Sequence, residues 1–292
     1  YIDTAESHGF PRSTCAWIKG IYSAILDFDD MDMIISVVEG DCSNTRALSE
    51  VLAMKGVKSV SFSYPSSGRY ESLKYEIDNL MNFFGVTQDE CLKVKRRLDE
   101  VRKKLSHLDM LTWRENLATG FENHLWQVSA SDFGSDVDRF EKSLDEEFLK
   151  IEKRPPRKEG ARIGYIGVPP ICADIYDFIE ETGGRVVYNE VQRQFTMAHG
   201  IGCEDLTRVY LDFTYPYSLE GRLRDIKEQI RIRGLQGIIH YTQAFCFRGI
   251  EDMVIRNALE VPVLTLEGDK PGELDARTKL RIESFIDMIS EG

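Results

Sequence analysis

The sequence contains no CxxC pair, no GxxxxGK[ST] loop and no convincing GxGxxG opening a helix after a strand. Any ATP this protein depends on must therefore be bound by a partner, and no short cysteine spacing announces a metal site. No apolar run approaches the roughly 18–20 residues of a membrane span, and no secretory leader is visible, so neither membrane insertion nor export is expected. Positive charge is scarce: 37 Lys and Arg stand against 49 Asp and Glu, a net charge of −12. Phosphate backbones demand a concentrated basic face, which argues against a nucleic-acid partner and leaves room only for a local basic pocket. Six cysteines without close pairing supply no disulfide framework, and a reducing cytoplasm is the expected compartment. The first residue is Tyr rather than Met, so an amino-terminal stretch is expected to be missing.

What is present is ordinary for a globular chain: 292 residues, 42% hydrophobic and 29% charged, a length that suggests two α/β domains. Residues 1–30 read as loop and then helix, with Ala16, Ile18, Ile21, Ala24, Ile25 and Phe28 as an apolar stripe. MDMIISVVEG (31–40) reads as a buried strand and VKSVSFSY (57–64) as a second strand after a helix, a unit that predicts parallel pairing with a right-handed crossover. Residues 69–152 carry almost no strand signal and are expected to be helical, with the charged run 93–104 as a solvated face. KIEKRPPRKEG (150–160) reads as a linker and sets the expected boundary between domains 1–154 and 155–292. Beyond it strands and helices alternate: ARIGYIGV, RVVYNE, LQGIIHYTQA and VPVLTLEGD as strands, a polar connection over 205–218, and a closing helix. That alternation predicts two doubly wound, Rossmann-like domains with mainly parallel sheets and a helical insertion after the first domain's strands.

The stretch 237–251, GIIHYTQAFCFRGIE, carries the densest signal. Ile238, Ile239 and Tyr241 read as a buried strand, and Ile250, Met253, Val254 and Leu259 recur at helical spacing behind it. Cys246 therefore falls where a strand hands over to a helix, the end at which α/β folds bind ligands. Cys15 in GFPRSTC and Cys42 in EGDCSNT stand at similar punctuation. A helix start lowers a thiol's pKa and favours bound thiolate. Three thiolates with one open position suit an iron–sulfur cluster with an exposed iron, or a zinc ion with a free site. Cys91, Cys172 and Cys203 read as non-ligating, because a cysteine is more often a small buried hydrophobe.

GFPRSTC (9–15), EGDCSNT (39–45), ETGGRVVYNE (181–190), QAFCFRGIED (243–252) and the closing GDKPGELDARTKLRIESFIDMI together resemble the 2-hydroxyacyl-CoA dehydratase/benzoyl-CoA reductase family, in particular 2-hydroxyglutaryl-CoA dehydratase D-components. The resemblance runs over nearly the whole chain. It implies that Cys15, Cys42 and Cys246 ligate one [4Fe-4S] cluster in the cleft between domains. It also implies a separate activator ATPase, carrying its own iron–sulfur cluster, that delivers one low-potential electron. Members often pair as two similar subunits, so a homo- or heterodimer and an acyl-CoA substrate are expected. A branch of the family holds a double-cubane cluster on further cysteines, but YNEVQR (188–193) and FTYPYS (213–218) have none, so a single cluster is expected.

Around the expected cleft, Glu190 with Arg193 closes one strand, Gln243 precedes Cys246, and Arg248 follows it. These four are the candidate catalytic residues; Glu39, Asp41 and Tyr241 stand nearby. Arg248 could stabilise a reduced cluster or bind an anionic substrate, or it could simply pair with Glu251 or Asp252. His240, within an apolar strand, reads as a satisfied core histidine, and no residue declares itself a general acid. The leading expectation is a cluster subunit of an ATP-coupled reductase or dehydratase. Its alternatives are a non-catalytic relay or cofactor-maturation component and a three-thiolate zinc protein.

Overall fold

The computed structural model describes residues 1–214, 216 and 218–291; Tyr215 and Tyr217, within the 213–218 loop discussed above, and Gly292 lie outside the described residues. The chain opens with helices α1 (Ile2–Ser7) and α2 (Ala16–Asp27). The first replaces an expected loop: Ala5 is buried among Ile18, Tyr22, Leu48 and Leu52, and that packing closes a turn too short to be read from sequence. Strand β1 (Ile34–Glu39), helix α3 (Ser43–Met54) and strand β2 (Ser59–Ser63) follow, and the two strands pair in parallel. Among the described residues this first sheet has two strands. Helix α4 (Tyr70–Phe84) covers one face of it by packing Leu73 and Ile77 against Phe62.

The helical insertion comprises α5 (Gln88–Trp113), α6 (Gly120–Val128) and α7 (Val137–Ile151). A capping box between Thr87 and Glu90 starts α5. Val101, Leu105 and Leu108 then bury against Phe140 and Leu144 of α7. The charge density of 93–104 predicts a solvated face, yet two of its charges are inside. Lys95 donates to Asp99 at 2.6 Å and to the Gly200 carbonyl at 2.7 Å, and Asp99 accepts from the Gly202 amide at 3.0 Å. The 198–202 turn lies over this face, so the pair is sealed in, and it is satisfied by hydrogen bonds as buried charge must be.

The second sheet contains β3 (Ala161–Gly167), β4 (Gly184–Asn189), β5 (Gly237–Gln243) and β6 (Val263–Gly268) in the order β4-β3-β5-β6, all parallel. Helix α8 (Ile175–Glu181) links the first two strands. The passage back to β5 runs through α9 (Glu190–Phe195), α10 (Leu206–Leu211) and α11 (Leu219–Arg233). Within the polar connection expected over 205–218, Asp205 accepts from the Arg208 amide at 3.0 Å and so starts α10. Helix α12 (Asp252–Ala258) and the last helix, α13 (Ala276–Glu291), complete the chain. Ile163, Tyr165, Ile239 and Tyr241 face α8 and α13, while Ile166, Val187, Ile238 and Ile255 meet on the α11–α12 side. Helices on both faces explain why these strands are near-continuously apolar, and the arrangement is the mainly parallel α/β fold class expected. From β3 the chain turns first to β4 and later to β5 on the other side. The crevice outside the carboxyl ends of β3 and β5 is therefore the topological switch point of this sheet. Among the described residues no helix is long and apolar enough to cross a membrane.

Candidate metal centre

Cys15, Cys42 and Cys246 each occupy the cap position of the helical turn that follows: α2, α3 and a 3-10 turn over Phe247–Glu251. At Cys42 the approach depends on Gly40. Its φ is +89°, and a Cβ there would lie 2.6 Å from the Tyr64 Cβ, so only glycine lets the β1–α3 turn pass. The Asn44 amide then donates to Cys42 Sγ at 3.4 Å. At Cys246 a tight turn closes through the Cys246 amide on the Gln243 carbonyl at 2.9 Å, with Phe245 at a φ of +65°. A non-glycine residue in that region is strained, and this one carries an exposed ring to the outside of the turn.

All three cysteines line one cavity of about 250 Å³. Its other walls include Trp17 of α2, Thr45 of α3, Val168 and Pro169 after β3, and Gln243 at the end of β5. The cavity thus stands at the switch point of the second sheet and is closed from the other side by the cysteine loops of the first. Burial pushes the Cys42 and Cys246 thiols up, opposing the helix-start effect argued above. Amides at each turn pull the other way, and Cys15 raises both thiols further. In the metal-free protein these two groups are held as thiols, and a bound metal must displace their protons.

Among the described residues, no three His, Cys, Asp or Glu side chains are gathered tightly enough to hold one metal ion. A single zinc needs every sulfur at about 2.3 Å from one centre. In a cluster each cysteine ligates its own iron, so the sulfurs stand farther apart around a shared space. The donor set is soft, the Asn44 amide already donates to one of its sulfurs, and the Oε1 of Gln243, buried at the wall, has no hydrogen-bond partner among the described residues. Three cysteine thiols around one space are a donor set that a [4Fe-4S] cluster would accept.

The candidate catalytic residues divide. Gln243 and Arg248 line the cavity; Glu190 and Arg193 do not. Glu190 is 2% exposed and forms a bidentate pair with Arg222, 2.7 Å to each oxygen, while Oε2 also accepts from the Gly167 amide at 2.9 Å. Burial alone would raise its pKa, but the Arg222 guanidinium holds it below the usual carboxylate value. Arg193 pairs with Asp225 at 3.2 Å. Both answer to the interior of the second sheet because β4 ends beneath α11 rather than at the cavity mouth.

Arg248 pairs with Glu251 at 3.0 Å and lies 5.0 Å from the centre of the Phe247 ring. Glu251 in turn receives Arg222. A buried chain of alternating charge, Glu190–Arg222–Glu251–Arg248, therefore runs from β4 to the cysteine cavity. Arg222 is invisible in sequence, since LEGRLRDIKEQIRIR offers several arginines with nothing to single it out. Trp17, two residues after Cys15, was the available signal for the cavity's aromatic wall.

Of the remaining residues one reaches the cavity wall. Asp41 lines it, whereas Glu39 accepts from the Ser66 amide at 2.7 Å. The Tyr241 hydroxyl binds the Ile171 amide at 3.2 Å and Cys172 Sγ at 3.8 Å. Cys203 approaches the Asp205 carbonyl at 3.7 Å, near the buried Lys95, and Cys91 lines a different cavity. His240 is buried with Nδ1 at 2.7 Å from Asp252.

Comparison with curated proteins gives no match. Residues 1–289 do match one family, and on that coverage the chain belongs to the 2-hydroxyglutaryl-CoA dehydratase, D-component family, a dehydratase-type component of the 2-hydroxyacyl-CoA dehydratase system.

Proposed function

We propose that this chain is the cluster-carrying component of a 2-hydroxyacyl-CoA dehydratase-type system and that Cys15, Cys42 and Cys246 hold one [4Fe-4S] cluster. The observation that carries the reading is the convergence of three helix-capping cysteines, distant in sequence, on one cavity at the switch point of the second sheet. A bound cluster supplies one-electron reduction at low potential and an iron with an open position for polarising a thioester carbonyl. The electron comes from a separate activator ATPase with its own cluster, consistent with a chain that has no nucleotide loop.

The protein's own groups then have separable tasks. Arg248 places a positive charge at the cavity wall, where it favours added electrons or an anionic substrate group. The Gln243 amide is held by donation to the Asp269 carbonyl at 3.0 Å, which leaves its oxygen to accept from a hydroxyl or water in the cavity. With domains dividing at 154/155, Cys15 and Cys42 belong to one and Cys246 to the other. A similar subunit as partner, an acyl-CoA substrate and a cytoplasmic, anaerobic setting complete the proposal.

Anaerobic reconstitution with iron and sulfide, on the parent chain and on Cys15→Ala, Cys42→Ala and Cys246→Ala, tests it. About four irons per parent chain, with visible absorption lost in each variant, is the expected result. Stoichiometric zinc without absorption, or loss confined to Cys172→Ala or Cys203→Ala, would overturn the assignment.

A further inference from the structure

A second cavity, of about 480 Å³, opens between the first sheet and the helical insertion and shares no wall residue with the cysteine cavity. Phe62 of β2, Met81 of α4, Leu98 of α5 and Val209 of α10 give it an apolar lining. Its volume and character are those of a small-molecule site rather than a packing defect.

Two polar groups in the wall have unused hydrogen-bonding capacity. Arg102 Nε is buried and meets no acceptor among the described residues. The Tyr210 hydroxyl hydrogen-bonds no other described residue and lines the same cavity as Arg102; burial raises its pKa and the Arg102 charge opposes that rise. The charges beside the cavity are unevenly placed. The carboxylate of Asp99 serves two cations, Lys95 at 2.6 Å and Arg102 at 3.2 Å. Glu90, the other acid in the wall, is engaged by Thr87 in the exposed cap of α5. Arg102 therefore shares its one ion-pair carboxylate with Lys95, at the edge of an apolar space with two idle donors.

We propose that this cavity binds a small amphipathic monocarboxylate, its apolar body among Phe62, Met81 and Leu98 and its carboxylate accepting from Arg102 Nε and the Tyr210 hydroxyl. The apolar body gains by leaving water, and the carboxylate supplies the charge-assisted bonds that Arg102 lacks. The site is independent of the cluster reading and would survive its failure.

Isothermal titration of the metal-free chain with octanoate, and with octan-1-ol as the uncharged counterpart, tests the proposal. Octanoate should saturate a single site per chain. Arg102→Met should weaken octanoate by about 10- to 100-fold, the worth of a hydrogen bond to a charged group, without weakening octan-1-ol. Tyr210→Phe, which keeps the ring, should cost about 3- to 10-fold. Met81→Trp should abolish binding of both probes, and Cys246→Ala should change neither. Should Arg102→Met fail to fold, Tyr210→Phe and Met81→Trp still decide. No saturable octanoate binding at millimolar concentration, equal affinity in Tyr210→Phe and the parent, or undiminished binding by Met81→Trp overturns the proposal. Loss on Cys246→Ala also overturns it, because the ligand would then occupy the other cavity.

Discussion

Every residue of β4 and β5 is buried, whereas β1 and β2 each bury a single residue, Ser36 and Phe62. The second sheet has helices on both faces, and the first has two strands whose pleat remains half open. The proposed ligands are split between them: Cys246 is anchored by the sealed sheet, and Cys15 and Cys42 by the half-open one. Elements with fewer buried apolar contacts open at lower free energy, so the two cysteine loops of the first sheet are expected to be the more mobile wall of the cavity. A group bound by all three cysteines would tie the looser layer to the firmer one. Its binding energy would then appear mainly as added stability of the first half.

The largest expected effect breaks the sealed half. Arg222 is 1% exposed and neutralises Glu190, itself buried, through two hydrogen bonds. Arg222→Met leaves that carboxylate unpaired and should cost about 3–5 kcal/mol in urea unfolding, as removal of one partner of a buried pair does. Adding Glu190→Gln should restore part of this, because the uncompensated charge is what hurts. The matching change in the first half, Lys19→Met, breaks a 2.7 Å pair with Glu6, whose side chain is 27% exposed and can turn to water. It should cost clearly less, and equal losses would erase the distinction between the halves.

A smaller effect depends on pH and tests the join between the insertion and the second sheet. His124 of α6 meets Gln192 of α9 at 2.8 Å, and burial lowers its pKa from 6.5 to about 4. A depressed folded pKa means the unfolded chain takes the proton first. The stabilising contribution of neutral His124 is therefore complete above pH 6.5 and is lost as pH falls toward 4. Urea midpoints should reveal a decline of up to about 1.4 kcal/mol per pH unit across this window. His124→Gln should flatten that decline; an unchanged slope would mean that His124 is solvated and the join is loose.

The same contrast explains what could be read from the sequence. Strands of the sealed sheet are continuous apolar runs with glycine punctuation, and their order of strand and helix dictated the parallel architecture. The cap positions of the cysteines were legible too, because EGDCSNT and QAFCFRG each place a turn before a helix. Lys95 and Asp99 could have been recognised as interior by their phase, since with Leu92 they fall on one helical stripe at steps of three and four. The charge chain to Arg248 and the second cavity had no local signal. Glu190 and Arg222 are 32 residues apart, and the cavity joins β2, α4, α5 and α10, so both exist only once the halves are packed.

The smallest effect sharpens the comparison from the open side. Ile35 lies on β1 with 53% of its surface exposed, whereas Ile239, at a corresponding inner position of β5, is fully buried. Ile239→Ala should cost about 2–5 kcal/mol through lost burial and the cavity left behind. Ile35→Ala should change stability by no more than about 0.5 kcal/mol, because water already covers most of the side chain. Ile35 also borders the larger cavity, so its truncation widens an opening rather than emptying a packed core. A loss above 1 kcal/mol at Ile35, if it grows with protein concentration, would mean that a second copy covers this face in solution. The half-open sheet would then be one side of an interface, and the contrast with the sealed sheet would belong to the isolated chain alone.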